Sequence, residues 1–434
     1  MKKYDTYKDS GIQWIGQVPE HWKIGKIKVL CDSIFAGATP STGNQEYWEG
    51  GSIPWIPSGC CHDCKINEAP KYITEAGLQN SSTKLIPANT TVMALTGATC
   101  AQLGYLTIEA CANQSVVAFV ENKQKADSRF LYYSLFAARE EILTHKSGGA
   151  QGGINQEDCR NIQIAIISLS EQQAIADFLD KKTGEIDQAI ALFEQEKTDL
   201  QAYRKAIISE TVTKGLNPNA KLKDSGIQWI GQIPEEWSVR RMKDKYILQT
   251  GTTPKGYDSQ DEGDELINWF TPADITESGN ILNDSQRKIS RQVVDDNTIS
   301  LYPKGSLIFV GIGATAGKLG YSEVEGYSNQ QITALIPKDN VQSKYHFYYL
   351  MSIKNVLRDT ASYTTMPIIN NAFLSKESIP LPPLSEQEAI VAYLDKKTSA
   401  IDTAIERINA QITELQAYRT ALISEAVTGK IDVR

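Results

Sequence analysis

The chain writes one passage twice. Residues 8–22, KDSGIQWIGQVPEHW, return as KDSGIQWIGQIPEEW at 223–237, with thirteen of fifteen positions identical. LSEQQAIADFLDKKT at 169–183 returns as LSEQEAIVAYLDKKT at 384–398, and QAYRKAIISETVT at 201–213 as QAYRTALISEAVT at 416–428. All three pairs are offset by 215 residues, so one structural unit is built two times. Between the matching ends lie residues 23–168 and 238–383, which match only faintly. Near-identical ends point to the same kind of partner for both copies, and divergent middles to different ligands.

The two helical passages are the clearest local structure. Each is expected to open with a capping box, Ser170 with Gln173 and Ser385 with Glu388. Pro382 and Pro383 stop any helix entering from upstream. Apolar residues then recur at intervals of three and four. They are Ile186, Ile190, Phe193, Leu200 and Ile207 in the first copy, and Ile401, Ile405, Ile408, Ile412, Leu415 and Leu422 in the second. That is a coiled-coil seam, interrupted by Lys197, Arg204 and Arg419. Gly215 and Gly429 end the helices. Residues 385–427 span about 64 Å at 1.5 Å per residue. One such helix cannot bury its seam alone, but two can pair antiparallel.

The middles mix short Val-, Ile- and Tyr-rich strands with Gly, Pro and Asn turns. Their shared frame shows in ANTTVMALTG (88–97) against KGSLIFVGIG (304–313), GATCAQLGY (97–105) against GATAGKLGY (313–321), and NQSVVAFV (113–120) against NQQITALI (329–336). Residues 128–143 and 343–358 read as helical. The expected fold is mixed α/β (α+β): two similar globular domains separated by two long antiparallel helices, with a pseudo-twofold internal repeat. The divisions are 1–22, 23–168, 169–216, a linker and second repeated segment at 217–237, 238–383 and 384–434.

Composition sets further bounds. Hydrophobic content of 41% and charged content of 22% are ordinary for a soluble globular protein. No apolar run approaches the roughly 18 residues of a membrane span, and the polar start MKKYDTYKDSG lacks a signal peptide's apolar stretch. A cytoplasmic location is expected. A net charge of −8 argues against a grip on nucleic acid by the whole surface, while leaving room for a local basic groove. All seven cysteines fall in the first half, so a disulfide or metal framework essential to the repeated unit is not expected.

Chemical motifs mostly fail their own geometry. Cys60-Cys61-His62-Asp63-Cys64 lacks the distant second ligand pair of a zinc site. Phe309-Val310-Gly311-Ile312-Gly313 matches the glycine turn with which adenine methyltransferases hold S-adenosylmethionine. The first copy does without it, however, and the partner motif of Asn or Asp, two prolines and an aromatic is missing. Gly313 to Lys318 has one residue too few between its glycines for a phosphate loop, and Leu319 stands where Ser or Thr is needed. The histidines, His21, His62, His145 and His346, sit in no recognisable catalytic arrangement. Tyr203-Arg204 and Tyr418-Arg419 recur inside the repeated helices. They are either core tyrosines beside polar seam positions or, with Trp14 and Trp229 of the WIGQ segments, a docking site for a partner used twice.

These residues together resemble the DNA-specificity subunit of Type I restriction–modification systems. The resemblance is carried by WIGQVPEHW and WIGQIPEEW, the two LSEQ…LDKKT openings, the QAYR helix ends and turns such as TKLIPAN (83–89), in order and twice over essentially the whole chain. It implies that each middle is a target recognition domain reading one half of a bipartite sequence in double-stranded DNA. The helices would set the spacing. Two modification subunits, carrying S-adenosylmethionine, would dock on the repeated parts, and two restriction subunits would bring ATP- and Mg2+-dependent translocation and cleavage. The chain itself would be non-catalytic and hold no cofactor or metal. A self-contained DNA methyltransferase and a coiled-coil scaffold without a DNA role are the alternatives. At about 3.4 Å of rise per base pair, a 64 Å rod allows half-site centres up to roughly 19 base pairs apart. Candidate DNA contacts are polar or basic residues at turns of the shared frame: Thr39, Ser41, Lys84, Gln102 and Gln151 in the first copy, and Thr253, Lys255, Arg287, Lys318, Tyr363 and Thr364 in the second.

Overall fold

The two repeated helical passages fold as the helices Leu169–Lys214 and Leu384–Val427, the longest among the described residues. The computed structural model describes residues 2–148, 152–255, 265–297, 299–338, 340–360, 362–363 and 367–434. The chain packs as two compact units, residues 1–194 with 409–434, and residues 195–408. Each unit thus takes the front half of one long helix and the back half of the other. In the first unit Arg419 Nε lies 3.2 Å from Asp187 Oδ1 and Arg434 reaches Glu171, and in the second Arg204 Nε lies 3.1 Å from Asp402 Oδ1 and Gly215 abuts Glu386, so the helix segments run antiparallel in both. Every seam position named from the sequence is buried or half-buried.

The helix starts differ from expectation. Both helices begin one residue before the expected serine, at Leu169 and Leu384, which leaves Ser170 and Ser385 inside the first turn. Ser168 Oγ accepts from Glu171 N at 3.3 Å, whereas Pro383, in the corresponding place, has no side-chain acceptor to offer. There the Pro383 carbonyl alone closes the turn, with Glu386 N and Gln387 N at 2.9 and 3.0 Å. The ends agree with the sequence. Gly215 and Gly429 adopt left-handed φ of 75° and 71°, a conformation that costs L-residues roughly 1–2 kcal/mol.

The middles are the same construction made twice. In the first unit a five-stranded sheet runs in the order Cys31–Ala36, Val116–Glu121, Thr90–Ala94, Leu103–Leu106, Cys64–Ile66. In the second the order is Tyr246–Thr250, Ile332–Pro337, Leu307–Val310, Leu319–Ser322, Asn280–Leu282. All pairs are antiparallel except the last of each sheet. A three-stranded sheet is centred on Ile53–Ile56 in one unit and on Leu266–Phe270 in the other. The alternating pattern of these strands buries Val92, Val116 and Ala118 on one side of the first sheet and Met93, Val117 and Phe119 on the other, so both faces are covered.

A short helix, Ser128–Ala137 or Ser343–Ser352, bolts each middle to its long helix. Tyr133 Oη donates to Asp180 at 2.7 Å and Tyr348 Oη donates to Asp395 at 2.6 Å. Arg129 adds contacts to Asp127, Asp177 and Asp180, while its counterpart Lys344 reaches Asp395. The three hydrogen-bonded carboxylates hold the Arg129 guanidinium above even its usual high pKa, that of Asp127 foremost.

Candidate nucleic-acid interface and docking surfaces

The near-identical ends are first of all fastenings. KDSGIQWIGQ folds as a hairpin, pairing Tyr7–Asp9 with Gln17–Pro19 and Leu222–Asp224 with Gln232–Pro234. The tryptophan that closes each segment, Trp22 or Trp237, is fully buried and donates its indole N–H to the glutamate of LSEQ, at 3.0 Å to Glu171 and 2.9 Å to Glu386. Burying an indole removes roughly 200 Å² from water, about 5 kcal/mol gross. The following glutamine spans two backbones. Gln172 accepts from Asp127 N and donates to Lys125 O, and Gln387 accepts from Gln342 N and donates to Pro382 O. Lys430 holds the first hairpin through Ile15 O and Gln17 O, as Lys214 holds the second through Gln232 O. Sequence identity here therefore has an internal cause, which repeat comparison alone cannot separate from a shared partner.

Exposure separates the two roles. Tyr203 and Tyr418 stand 51% and 49% exposed at equivalent places on the two helices. Trp229 is 39% exposed, while Trp14 is half-buried against the core. Arg204 and Arg419 point inward, onto Asp402 and Asp187. Each also walls a cleft between the helix segments and the middle of its own unit: about 310 Å³ beside Arg419, Tyr132 and Asp63, and about 530 Å³ beside Arg204, Met351 and Glu277. The clefts share a further ion pair, Arg139 with Asp63 and Lys354 with Glu277. Hydrogen bonding from Lys354 draws the Glu277 carboxyl below its ordinary range.

The candidate DNA contacts fall into three groups. The first is one corner that both units build alike. After the strand Cys31–Ala36 or Tyr246–Thr250 the chain turns as Gly37-Ala38-Thr39-Pro40-Ser41, or Gly251-Thr252-Thr253-Pro254-Lys255. A Cβ on Gly37 would lie 2.1 Å from Ala112 O, and one on Gly251 would lie 2.3 Å from Ser328 O, so only glycine fits. Trp55 and Trp269 donate indole N–H groups to Ala38 O at 3.1 Å and Thr252 O at 3.4 Å. Thr39 Oγ1 donates to Gln114 Oε1 at 2.5 Å, and Thr253 Oγ1 donates to Gln330 Oε1. Ser41, Lys255, Lys84 and Arg287 are exposed in their units, with Lys84 Nζ 5.3 Å from the centre of the Phe35 ring.

The second group faces inward. Gln102 and Lys318 occupy the same turn of the two frames. The Gln102 amide oxygen is buried, and Lys318 Nζ donates to Ile275 O at 3.2 Å and lies 4.0 Å from Glu277. The third group is not placed. Gln151 and Thr364 lie outside the described residues, and Tyr363 belongs to the short strand Ser362–Tyr363. Gln114 and Gln330 were absent from the sequence-based set. Their signal was the NQ shared by residues 113–114 and 329–330, which reads as strand scaffold.

The remaining motifs have structural work. Gly311 of the glycine run lets the backbone of Ile369 approach, since a Cβ there would meet Ile369 O at 2.7 Å. Among the described residues no group of three or more His, Cys, Asp or Glu is placed to hold a metal ion. Cys61 is buried, and burial pushes its thiol up to about 12, while Cys64 is exposed. No helix among the described residues is long and apolar enough to cross a membrane.

Comparison with known proteins agrees along the chain. The family model described as Type I restriction modification DNA specificity domain matches twice, over residues 19–200 and 234–414. The Type I restriction enzyme MjaIX specificity subunit of Methanocaldococcus jannaschii is 24% identical over 452 aligned positions, covering 96% of this chain and 95% of the relative. Among solved structures, a chain from a study of assembly and conformational transition in the type I R-M system superposes with a TM-score of 0.75 at 18% identity, covering 95% of this chain and 99% of that one. The HsdS subunit from Thermoanaerobacter tengcongensis superposes with a TM-score of 0.54 at 18% identity, covering 95% and 98%.

Proposed function

Because this chain belongs to the Type I restriction modification DNA specificity family, we propose that each of its middles reads one half of a bipartite target in double-stranded DNA. The chain is a non-catalytic specificity subunit, and recognition is its task. One observation carries the division of labour: the two middles have the same strand order and the same fastenings, yet carry different residues at the tips, such as Ser41 against Lys255. A protein must both position itself on phosphates and read base edges. A common frame with individual tips supplies the two separately. Thr39, Ser41 and Lys84, with Thr253, Lys255 and Arg287, are the exposed or half-exposed candidates for these contacts.

Tyr203 and Tyr418, exposed at matching positions, support docking of two copies of one modification subunit, with Trp229 and the partly covered Trp14 beside the hairpins. Arg204 and Arg419 orient the helix face through their aspartates. S-adenosylmethionine would be held by those subunits, and ATP and Mg2+ by two restriction subunits, in the cytoplasm. A self-contained methyltransferase is not favoured, since Gly311 is accounted for by a close backbone approach.

The test is an exchange. Residues 23–168 are replaced by the corresponding middle of another family member, and the methylated sequence is mapped in cells that also carry the modification subunit. One half of the target should change and the other persist. Change in both halves, or in neither, would refute independent reading.

A further inference from the structure

In the corner that both units build alike, the glutamines are better placed than the turns beside them. Gln114 and Gln330 are exposed, although each follows a partly or fully buried asparagine, Asn113 or Asn329, whose side-chain oxygen caps the turn by accepting from Ser115 N or Gln331 N at 3.1 Å. The carboxamide oxygen of each glutamine is engaged by Thr39 or Thr253. With the oxygen turned to the threonine, the amide nitrogen is the end that faces out. Among the described residues the Nε2 groups of Gln114 and Gln330 have no hydrogen-bond partner, so each presents an oriented N–H donor to solvent.

Among the described residues, the hollows beside these corners are free of acid. The hollow beside Thr39, about 560 Å³, is lined by Lys71, Trp48 and Tyr72 with no carboxylate. Among the described residues, the hollow beside Gln330, about 310 Å³, likewise has no carboxylate in its lining, which is uncharged. Acid-free linings stand out in a chain of net charge −8.

Resting on the DNA-recognition reading above, we propose that Gln114 and Gln330 are phosphate-positioning residues. Each donates Nε2–H to the DNA backbone of its own half-site, with the amide held in register by Thr39 or Thr253. Base reading is the poorer role for them. Two units that read different half-sites would not both need the same side chain on the same clip, whereas the phosphate backbone is the same in every sequence. The neighbours that differ, Ser41 and Lys255, are then where the units part company.

The test uses the full chain assembled with its modification subunits, and measures affinity for a duplex carrying the mapped target and for a scrambled duplex, at two salt concentrations. Gln114→Ala should weaken both duplexes by about tenfold, the usual effect of losing a hydrogen bond to a charged group. Gln114→Glu is the decisive variant. It keeps an acceptor for Thr39 but turns a carboxylate toward phosphate, so it should bind several-fold worse than the alanine variant at low salt. Its deficit should shrink as salt screens the repulsion. Gln330→Ala and Gln330→Glu should behave alike in the second unit, and serve if the first pair unfolds. The methylated sequence should not change. Wild-type affinity in the glutamate variants would mean that the pair is only an internal clip, and a changed target sequence would mean base reading. Either outcome overturns the proposal. A wild-type assembly that does not prefer its target would instead refute the DNA-recognition reading.

Discussion

The two helix-ending glycines occupy matching places but meet different neighbours, and that difference fixes an unequal response to one substitution. A Cβ on Gly429 would lie 2.4 Å from Pro19 Cδ and 3.0 Å from Trp22 Cη2, against a proline ring and a fully buried indole. A Cβ on Gly215 would lie 2.6 Å from Glu386 Oε1 and 3.2 Å from Trp237 Cζ2. The first obstacle is rigid, while the second is mainly Glu386 Oε1, the carboxylate oxygen that does not hold the Trp237 indole, and it can shift while Oε2 keeps that bond. Both alanine variants bear the left-handed penalty of roughly 1–2 kcal/mol. Gly429→Ala adds overpacking of roughly 1–3 kcal/mol, so it should lose about 2–5 kcal/mol against about 1–2 kcal/mol for Gly215→Ala. For a unit of about 220 residues each kcal/mol moves Tm by roughly 2–4 °C. Calorimetry should therefore separate the variants by several degrees. Hydrogen exchange should place the Gly429→Ala loss in residues 169–194 and 409–430, and the Gly215→Ala loss in 195–214. Equal Tm shifts, or a Gly429→Ala protein as stable as wild type, would show that the closure is loose and the packing argument wrong.

Two further outcomes follow from particular residues. His346 is fully buried between Tyr246 Oη at 2.9 Å and Pro380 O at 3.1 Å, and burial lowers its pKa from 6.5 to about 4. A folded pKa below the unfolded one means that its stabilisation is complete above pH 6.5 and is lost as pH falls through 4. That is about 3 kcal/mol across the window, and it should disappear in urea titrations of His346→Leu, although that variant is less stable throughout because Tyr246 loses its acceptor. Four residues inserted at Glu196, inside the unbroken helix Leu169–Lys214, lengthen it by about 6 Å, roughly one to two base pairs of rise. Methylation mapping should then find both half-sites unchanged and a longer unspecified gap, with some loss of stability from the disturbed seam. An active variant with the original gap would mean that the helices do not set the spacing.

Much of the architecture was legible because it rests on periodicity and repetition. The seam residues from Ile186 to Leu422 could be named from intervals of three and four, and the glycine stops from position. The helix starts were less legible. Ser170 and Ser385 satisfy the local capping pattern, but Glu171, Gln172, Glu386 and Gln387 are bound to residues far away in sequence, and those partners fix where the turn begins. Repetition also misleads about purpose. Arg204 and Arg419 recur in the helices, and the structure pairs both with aspartates across the seam. Lys318 looks like a cation offered at a turn, but the Ile275 carbonyl and Glu277 are within its reach. The opposite error hid Gln114 and Gln330, whose amide orientation depends on a threonine contributed by another strand's turn. A sequence displays which residues recur. Whether their side chains face the interior or solvent is decided by contacts of long range.

The division of the chain also orders its synthesis. The second unit is a single run, 195–408, whereas the first waits for 409–434, which lie downstream of all of it. A ribosome therefore delivers the later unit whole before the earlier one can close. Until then the apolar stripe around Ile175, Leu179 and Ile186, and the hairpin with Trp22, lack the Leu422, Ile423 and Val427 that share their core. On that order of delivery, the usual N-terminal-first sequence of domain folding would be reversed. The half-made first unit is the species that a nascent-chain chaperone would meet.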